Sequence, residues 1–235
     1  MAVWMFLGVV SVWAQQPDEI HYFHSGGMPP GAIGQQQLRR GGPLPGYFQP
    51  VEISAPEGVK ISLAKQGSFE TLQNAPRKAA FLIGQVYRFK VAHIQLQPGI
   101  EIFPTIEIID RLYPPLGQEF RFPIPVQLTE NDLDDAIQGR MVTRIVYVED
   151  PHRALPIAQE GNILLAFDVA EGNDPLKVAD SLGRPVAILR IGARIPGPQG
   201  PNQRFLYGSP PWLDQFERIP PGIPQTNARQ LNGIK

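Results

Sequence analysis

The chain has 235 residues, 22 acidic side chains against 21 basic ones, and no cysteine. That length suits one domain with tails or two small domains, and a net charge of −1 without a run of like charges gives no footprint for nucleic acid. The missing thiols exclude disulfides, iron–sulfur clusters, thiolate zinc sites and a lipidated cysteine.

Residues 1–14, MAVWMFLGVVSVWA, carry no charged side chain and only Ser11 as a polar one. A short apolar run closed by a small residue is the pattern of a secretory leader. About 12 apolar residues are too few to span a bilayer, which needs roughly 20. Val12 and Ala14 occupy the two positions a signal peptidase reads, so residues 1–14 are read as a signal peptide whose cleavage leaves no transmembrane span. No Lys or Arg precedes the run, which leaves the Met1 amino group as its only charge. The alternatives are an uncleaved membrane-associated tail, or an internal element that would have to bury Trp4, Phe6 and Trp13. Residues 15–50 are dominated by Gly, Pro and Gln, keep no apolar period, and read as a flexible arm.

From 51 to 196 the pattern is period-two, with residues 51–54 and 59–64 as the first, weaker strands. Residues 85–94 put Tyr87, Phe89, Val91 and His93 on one face and Arg88 and Lys90 on the other. Residues 101–113 align Ile102, Ile106, Ile108 and Leu112, and the PPLG turn at 114–117 predicts a hairpin to residues 119–128. There Phe120, Phe122, Ile124, Val126 and Leu128 alternate with Glu119, Arg121, Pro123, Pro125 and Gln127. Pro123 and Pro125 remove donors from one side, which predicts a sheet edge. A short helix follows, capped by Thr129, with Glu130 and Asp132 in its first turn, Leu133, Ala136 and Ile137 as its stripe, and Gly139 as its stop. Residues 141–148 are apolar on both faces except at Thr143 and Arg144 and read as a central strand; residues 163–169 are a weaker candidate. Asp174 and Pro175 open a second helix, carrying Leu176, Val178, Ala179 and Leu182 and ending at Gly183. Residues 185–195 bury Ala187, Leu189, Ile191, Ala193 and Ile195 and expose Arg190 and Arg194. Many strands and few helices predict an all-β, mainly antiparallel, β-sandwich-like domain. The tail, 197–235, is again rich in Pro and Gly, but Phe205, Leu206, Tyr207, Trp212, Leu213 and Phe216 predict that part of it docks on the domain or on a partner.

Candidate chemistry is sparse. No Ser sits in a G-x-S-x-G elbow and there is no Cys nucleophile, and no residue set points to a cofactor. Glu130, Asp132, Asp134 and Asp135 lack the ligand spacing of a calcium loop and are explained by the positive end of a helix dipole. Glu149-Asp150-Pro151-His152-Arg153 follows a strand; Glu149, Asp150 and His152 are the best candidates for a metal or substrate loop, although Asp-Pro is also an ordinary turn former. His21 and His24 have metal-compatible spacing, but Gly26-Gly27 argues against the helix that would present them. His93 reads as a hydrogen-bonded core histidine at a strand end. Glu101 and Glu107, with Asp110 nearby, are six positions apart, about 20 Å along a strand, too far to form one glycosidase pair; they read as solvent-facing.

The stretches GIEIFPTIEIIDRLYPPLGQEFRFPIPVQLTENDLDDAIQG, MVTRIVYVEDPHRALP and DPLKVADSLGRPVAILRIGARIP resemble a group of uncharacterised exported bacterial β-rich proteins with no assigned activity. The resemblance covers about residues 85–196, implies a secreted or cell-envelope setting, and carries over no catalytic residue. The expected function is a non-enzymatic structural or interaction module of the envelope, with an envelope protein or polysaccharide as partner. The alternatives are a polysaccharide- or ligand-binding module with Tyr207 and Trp212 stacking on sugars, and a metal-dependent enzyme or accessory factor built on the Glu149–His152 loop.

Overall fold

In the structure, a computed structural model that describes residues 21, 23–152, 166 and 168–214, regular elements follow one another closely. Helix α1 (Ala32–Arg39) leads into β1 (Phe48–Ser54), β2 (Lys60–Lys65), β3 (Ser68–Phe69), β4 (Gln73–Asn74), β5 (Arg77–Leu82), β6 (Val86–Ala92) and β7 (Thr105–Ile108). After a 3-10 turn (Glu119–Arg121) come β8 (Ile124–Gln127), α2 (Glu130–Ile137), β9 (Val142–Glu149), α3 (Pro175–Leu182), β10 (Gly183–Ile191) and β11 (Trp212–Asp214). The fold is thus β-rich. One sheet has the order β11-β5-β1-β8, and the larger one β3-β2-β6-β7-β10-β9, with β4 also paired to β2. All pairings are antiparallel except β1 with β8.

The two sheets share one core. Val51, Ile53, Phe81, Ile124 and Val126 from the smaller sheet join Ile61, Phe89, Ile106, Ile108, Leu189 and Ile191 from the larger. Leu133 and Ala136 of α2 close it from one end, as their helical spacing predicts. Thr129 caps α2 in a capping box: its hydroxyl accepts from Asp132 N at 3.2 Å, and the Asp132 carboxylate accepts from Thr129 N at 3.0 Å. The same carboxylate accepts from Arg144 Nε at 2.8 Å, so the acidic helix start is a structural joint to β9. Asp174 caps α3, with Pro175 in its first turn.

The opposite face of the larger sheet is covered in two separate places. Ile33 of α1 and Leu176 of α3 pack with Ile109 and Ile188. Phe205 and Leu206 of the C-terminal segment pack with Ala64 and Phe103. Further along, the Trp212 ring is buried, its Nε1 donates to Ala64 O at 2.9 Å, and β11 zips onto β5. Phe205 to Asp214 thus lie against the domain; Phe216 lies outside the described residues.

Several expectations are corrected. Residues 119–128 are not one strand: only Ile124–Gln127 pairs, in parallel with β1, and Phe122 is half exposed. The prolines confine pairing to one side, and among the described residues β8 lies at a sheet edge. The expected hairpin does not form, because β7 and β8 belong to different sheets. Strand β9 is the last strand of its sheet among the described residues, not a central one. Strand β10 ends at Ile191, leaving Ala193 and Ile195 exposed, whereas Arg190 is buried. His93 is exposed immediately after β6 with φ 60°, outside the core. Within the stretch read as a flexible arm, residues 32–39 form α1 and residues 48–50 begin β1. Of residues 163–169, Ala166 and Asp168 are not in a strand and the others, Val169 apart, lie outside the described residues, as do 1–20.

Candidate functional site

The pleat of the larger sheet builds the site. Residues facing one another across neighbouring strands point to the same side. Arg88 on β6 pairs with Thr105 on β7, Thr105 with Arg190 on β10, and Arg190 with Thr143 on β9. The result is one continuous polar row, Arg88–Thr105–Arg190–Thr143, crossing four strands on the face turned away from the main core. Strands lie about 4.8 Å apart, so the backbones of Arg88 and Arg190 stand roughly 10 Å apart. This row floors a cleft of about 490 Å³ between the two covered patches of that face.

Each wall is clamped by one of the floor arginines. On the N-terminal side, Arg190 Nη2 donates to Met28 O at 3.2 Å and to Gly26 O at 3.4 Å, holding residues 26–30 against the sheet. Its Nη1 donates to Glu107 Oε2 at 3.0 Å, and Glu107 Oε1 accepts from Gly34 N at 2.8 Å in α1. Glu107 is 0% exposed and Arg190 5%, so this is a buried, fully hydrogen-bonded ion pair. Asp174 secures the same wall by accepting from Gly26 N at 3.0 Å while capping α3. Burial works against its charge, but hydrogen bonds from Ser25, Gly26, Leu176 and Lys177 outweigh that and hold its carboxyl below the usual range.

On the C-terminal side, Arg88 donates from Nε to Phe205 O and from Nη1 to Phe103 O, both at 2.7 Å. Its guanidinium lies 4.2 Å from the Phe205 ring centroid and 5.3 Å from that of Tyr207. Burial pulls the Arg88 pKa below the ordinary guanidinium value, Tyr207 opposes this, and the charge of nearby Arg194 adds to it. Met28, Pro29, Pro30, Phe103 and Met141 make most of the remaining surface apolar. Chemically the cleft offers cationic donors at its base and a greasy lining above them.

The residues singled out from the sequence are distributed elsewhere. Glu149 and His152 are exposed, and Asp150 accepts from His152 N at 2.9 Å, which closes the Asp-Pro turn. Among the described residues no three His, Asp or Glu side chains gather as metal ligands. His21 and His24 do meet, buried, with their Nδ1 atoms 3.1 Å apart; His24 Nε2 lies 2.8 Å from Gln36 Oε1 and His21 Nδ1 3.0 Å from Gln37 Nε2. Burial chiefly, with the charges of His24 and Arg40 against that of Asp110, lowers the His21 pKa to about 4. Glu107 was expected to face solvent and instead anchors Arg190; Glu101 is exposed and pairs with Lys90 at 3.0 Å. Trp212 is buried, so it forms no open sugar platform with Tyr207. A broader recess of about 790 Å³ lies between β8, β9, Ala166 and residues 168–173.

Sequence reasoning assigned Arg88, Arg190 and Arg194 to an outer face without seeing that this face is roofed. The usable signal was two arginines on strands rich in apolar residues; the register that aligns them is not local information. No protein-family model, curated protein or solved structure matches the chain. Among the described residues no helix is long and apolar enough to cross a membrane.

Proposed function

We propose that the chain is a non-enzymatic interaction module of the bacterial cell envelope that holds a small ligand in the cleft on the outer face of its larger sheet. The observation that carries this reading is the polar row Arg88–Thr105–Arg190–Thr143, set between two walls that the row itself fastens. A concave, largely apolar recess with a few convergent polar groups is the common form of a small-molecule site. The two sheets around one core are read as a sandwich-like domain, with the leader at 1–14 and Pro/Gly-rich flanks. Export rests on the leader pattern and on the resemblance of residues 85–196 to exported proteins. Fractionation of the source cell with N-terminal sequencing of the purified native chain tests it. The expected result is an envelope or secreted protein beginning at Gln15; a cytosolic protein beginning at Met1 refutes it.

A further inference from the structure

We propose that the cleft receives an amphiphilic oxyanion, its carboxylate or phosphate head engaged by Arg88 and Arg194 and its apolar body lying along Met28, Pro29, Phe103 and Met141. This assignment of ligand class rests on reading the cleft as the binding site.

Three guanidinium groups line the cleft, those of Arg88, Arg190 and Arg194, and among the described residues no carboxylate does. Glu107, beside the floor on the same face and under α1, neutralises Arg190 alone. Buried charges in proteins are ordinarily paired with an opposite charge. Arg88 is 4% exposed, yet among the described residues it enters no ion pair, and its guanidinium donates to the neutral carbonyl oxygens of Phe205 and Phe103 beside the Tyr207 ring. Arg194 is exposed, lies three residues past the end of β10, and likewise enters no ion pair among the described residues. The two guanidinium groups repel each other, which an anion placed between them would relieve.

Donor chemistry narrows the ligand further. Guanidinium groups donate only, and their planar fork matches the two oxygens of a carboxylate or phosphate. A neutral sugar is ordinarily held by carboxylate or amide side chains that accept from its hydroxyls, and among the described residues no Asp, Glu, Asn or Gln lines the cleft. A bare hydrated ion would leave the walls of Met28, Pro29, Phe103 and Met141 unmatched, so the head must carry an apolar body.

The two methionines allow a direct readout. Of the four in the chain, Met28 and Met141 line the cleft, so methyl-labelled methionine reports its occupancy by NMR, while calorimetry gives stoichiometry and affinity. The probes are octanoate, octyl phosphate, octan-1-ol and inorganic phosphate, tested on the whole chain and on an Arg194→Gln variant. Arg194 is exposed, so that variant keeps the fold. The expected result is saturable one-to-one binding of octanoate and octyl phosphate that shifts both methyl signals and weakens at least tenfold in Arg194→Gln. Arg88→Lys, which keeps the charge but loses the fork, should weaken binding as well. Equal binding of octan-1-ol, or unchanged affinity in Arg194→Gln, would overturn the anion and leave the cleft as the site. Inorganic phosphate binding as tightly as octyl phosphate would overturn the apolar body. If none of the four moves either methyl signal, the cleft reading itself falls.

Discussion

Replacing Glu107 by alanine strips Arg190 of the only carboxylate it meets among the described residues. The guanidinium, 5% exposed, would keep only the carbonyls of Gly26 and Met28, and the Gly34 N–H would lose its acceptor. Breaking a buried pair on one side costs about 3–5 kcal/mol, because the surviving charge stays out of water. Glu107→Gln keeps the shape and one carbonyl acceptor but gives up the charge, and should cost about 2 kcal/mol. Urea unfolding at neutral pH reads both values. With a slope of about 2 kcal/mol per molar, the midpoint should fall by roughly 2 M for Glu107→Ala and by about 1 M for Glu107→Gln. The double variant Glu107→Met/Arg190→Met should cost about 2 kcal/mol less than the two single changes summed, since it leaves no orphaned charge. A midpoint shift below about 0.5 M for Glu107→Ala, at unchanged slope, would refute the description of this pair as the joint between α1, β7 and β10.

Gly34→Ala pits helix propensity, a gain of up to about 1 kcal/mol, against a close approach. The new Cβ would stand 2.8 Å from Gly84 Cα and 3.3 Å from Ile108 O. Overpacking against backbone costs about 1–3 kcal/mol, so a net loss is expected in the same unfolding assay, and a gain would show that α1 does not dock this tightly. Trp212→Ala removes a buried ring and its bond to Ala64 O and should cost about 3–5 kcal/mol. Limited proteolysis should then open the chain near residues 205–214, and undiminished protection there would refute the docking of β11. The His21 pKa lies near 4, below its unfolded value of 6.5, so the unfolded chain binds more protons between those values. Its contribution is therefore complete above about pH 6.5 and is lost as the pH falls toward 4, on the order of 2 kcal/mol. The difference in stability between pH 7 and pH 4.5 should shrink in His21→Gln, and an unchanged difference would show that this imidazole is not held neutral.

What was legible in the sequence was local. Thr129, the first-turn acids and the Leu133–Ala136 spacing specify α2, and Asp174-Pro175 specifies the start of α3, because caps act within one turn. The pair Pro123 and Pro125 identifies an edge, because a missing donor is a property of the residue itself. Helix α1 was missed because its only buried residues are Ile33 and Gly34, too few to mark an apolar stripe amid Gly, Pro and Gln. Arg190 and Glu107 were assigned to solvent because alternation says which side of a strand a residue faces, and nothing about what covers that side.

Residue type and spacing decided the β-rich character, the two caps, the edge strand and the absence of disulfides, since each depends on neighbours within a few positions of the chain. Folding in three dimensions decided that Arg88, Thr105, Arg190 and Thr143, spread over more than one hundred positions, stand in one row. It also decided that segments from both ends of the chain roof the sheet on either side of that row. Register between distant strands comes from the packing of the whole core, so a charge buried at one point of the sheet has its cause in side chains far away in sequence.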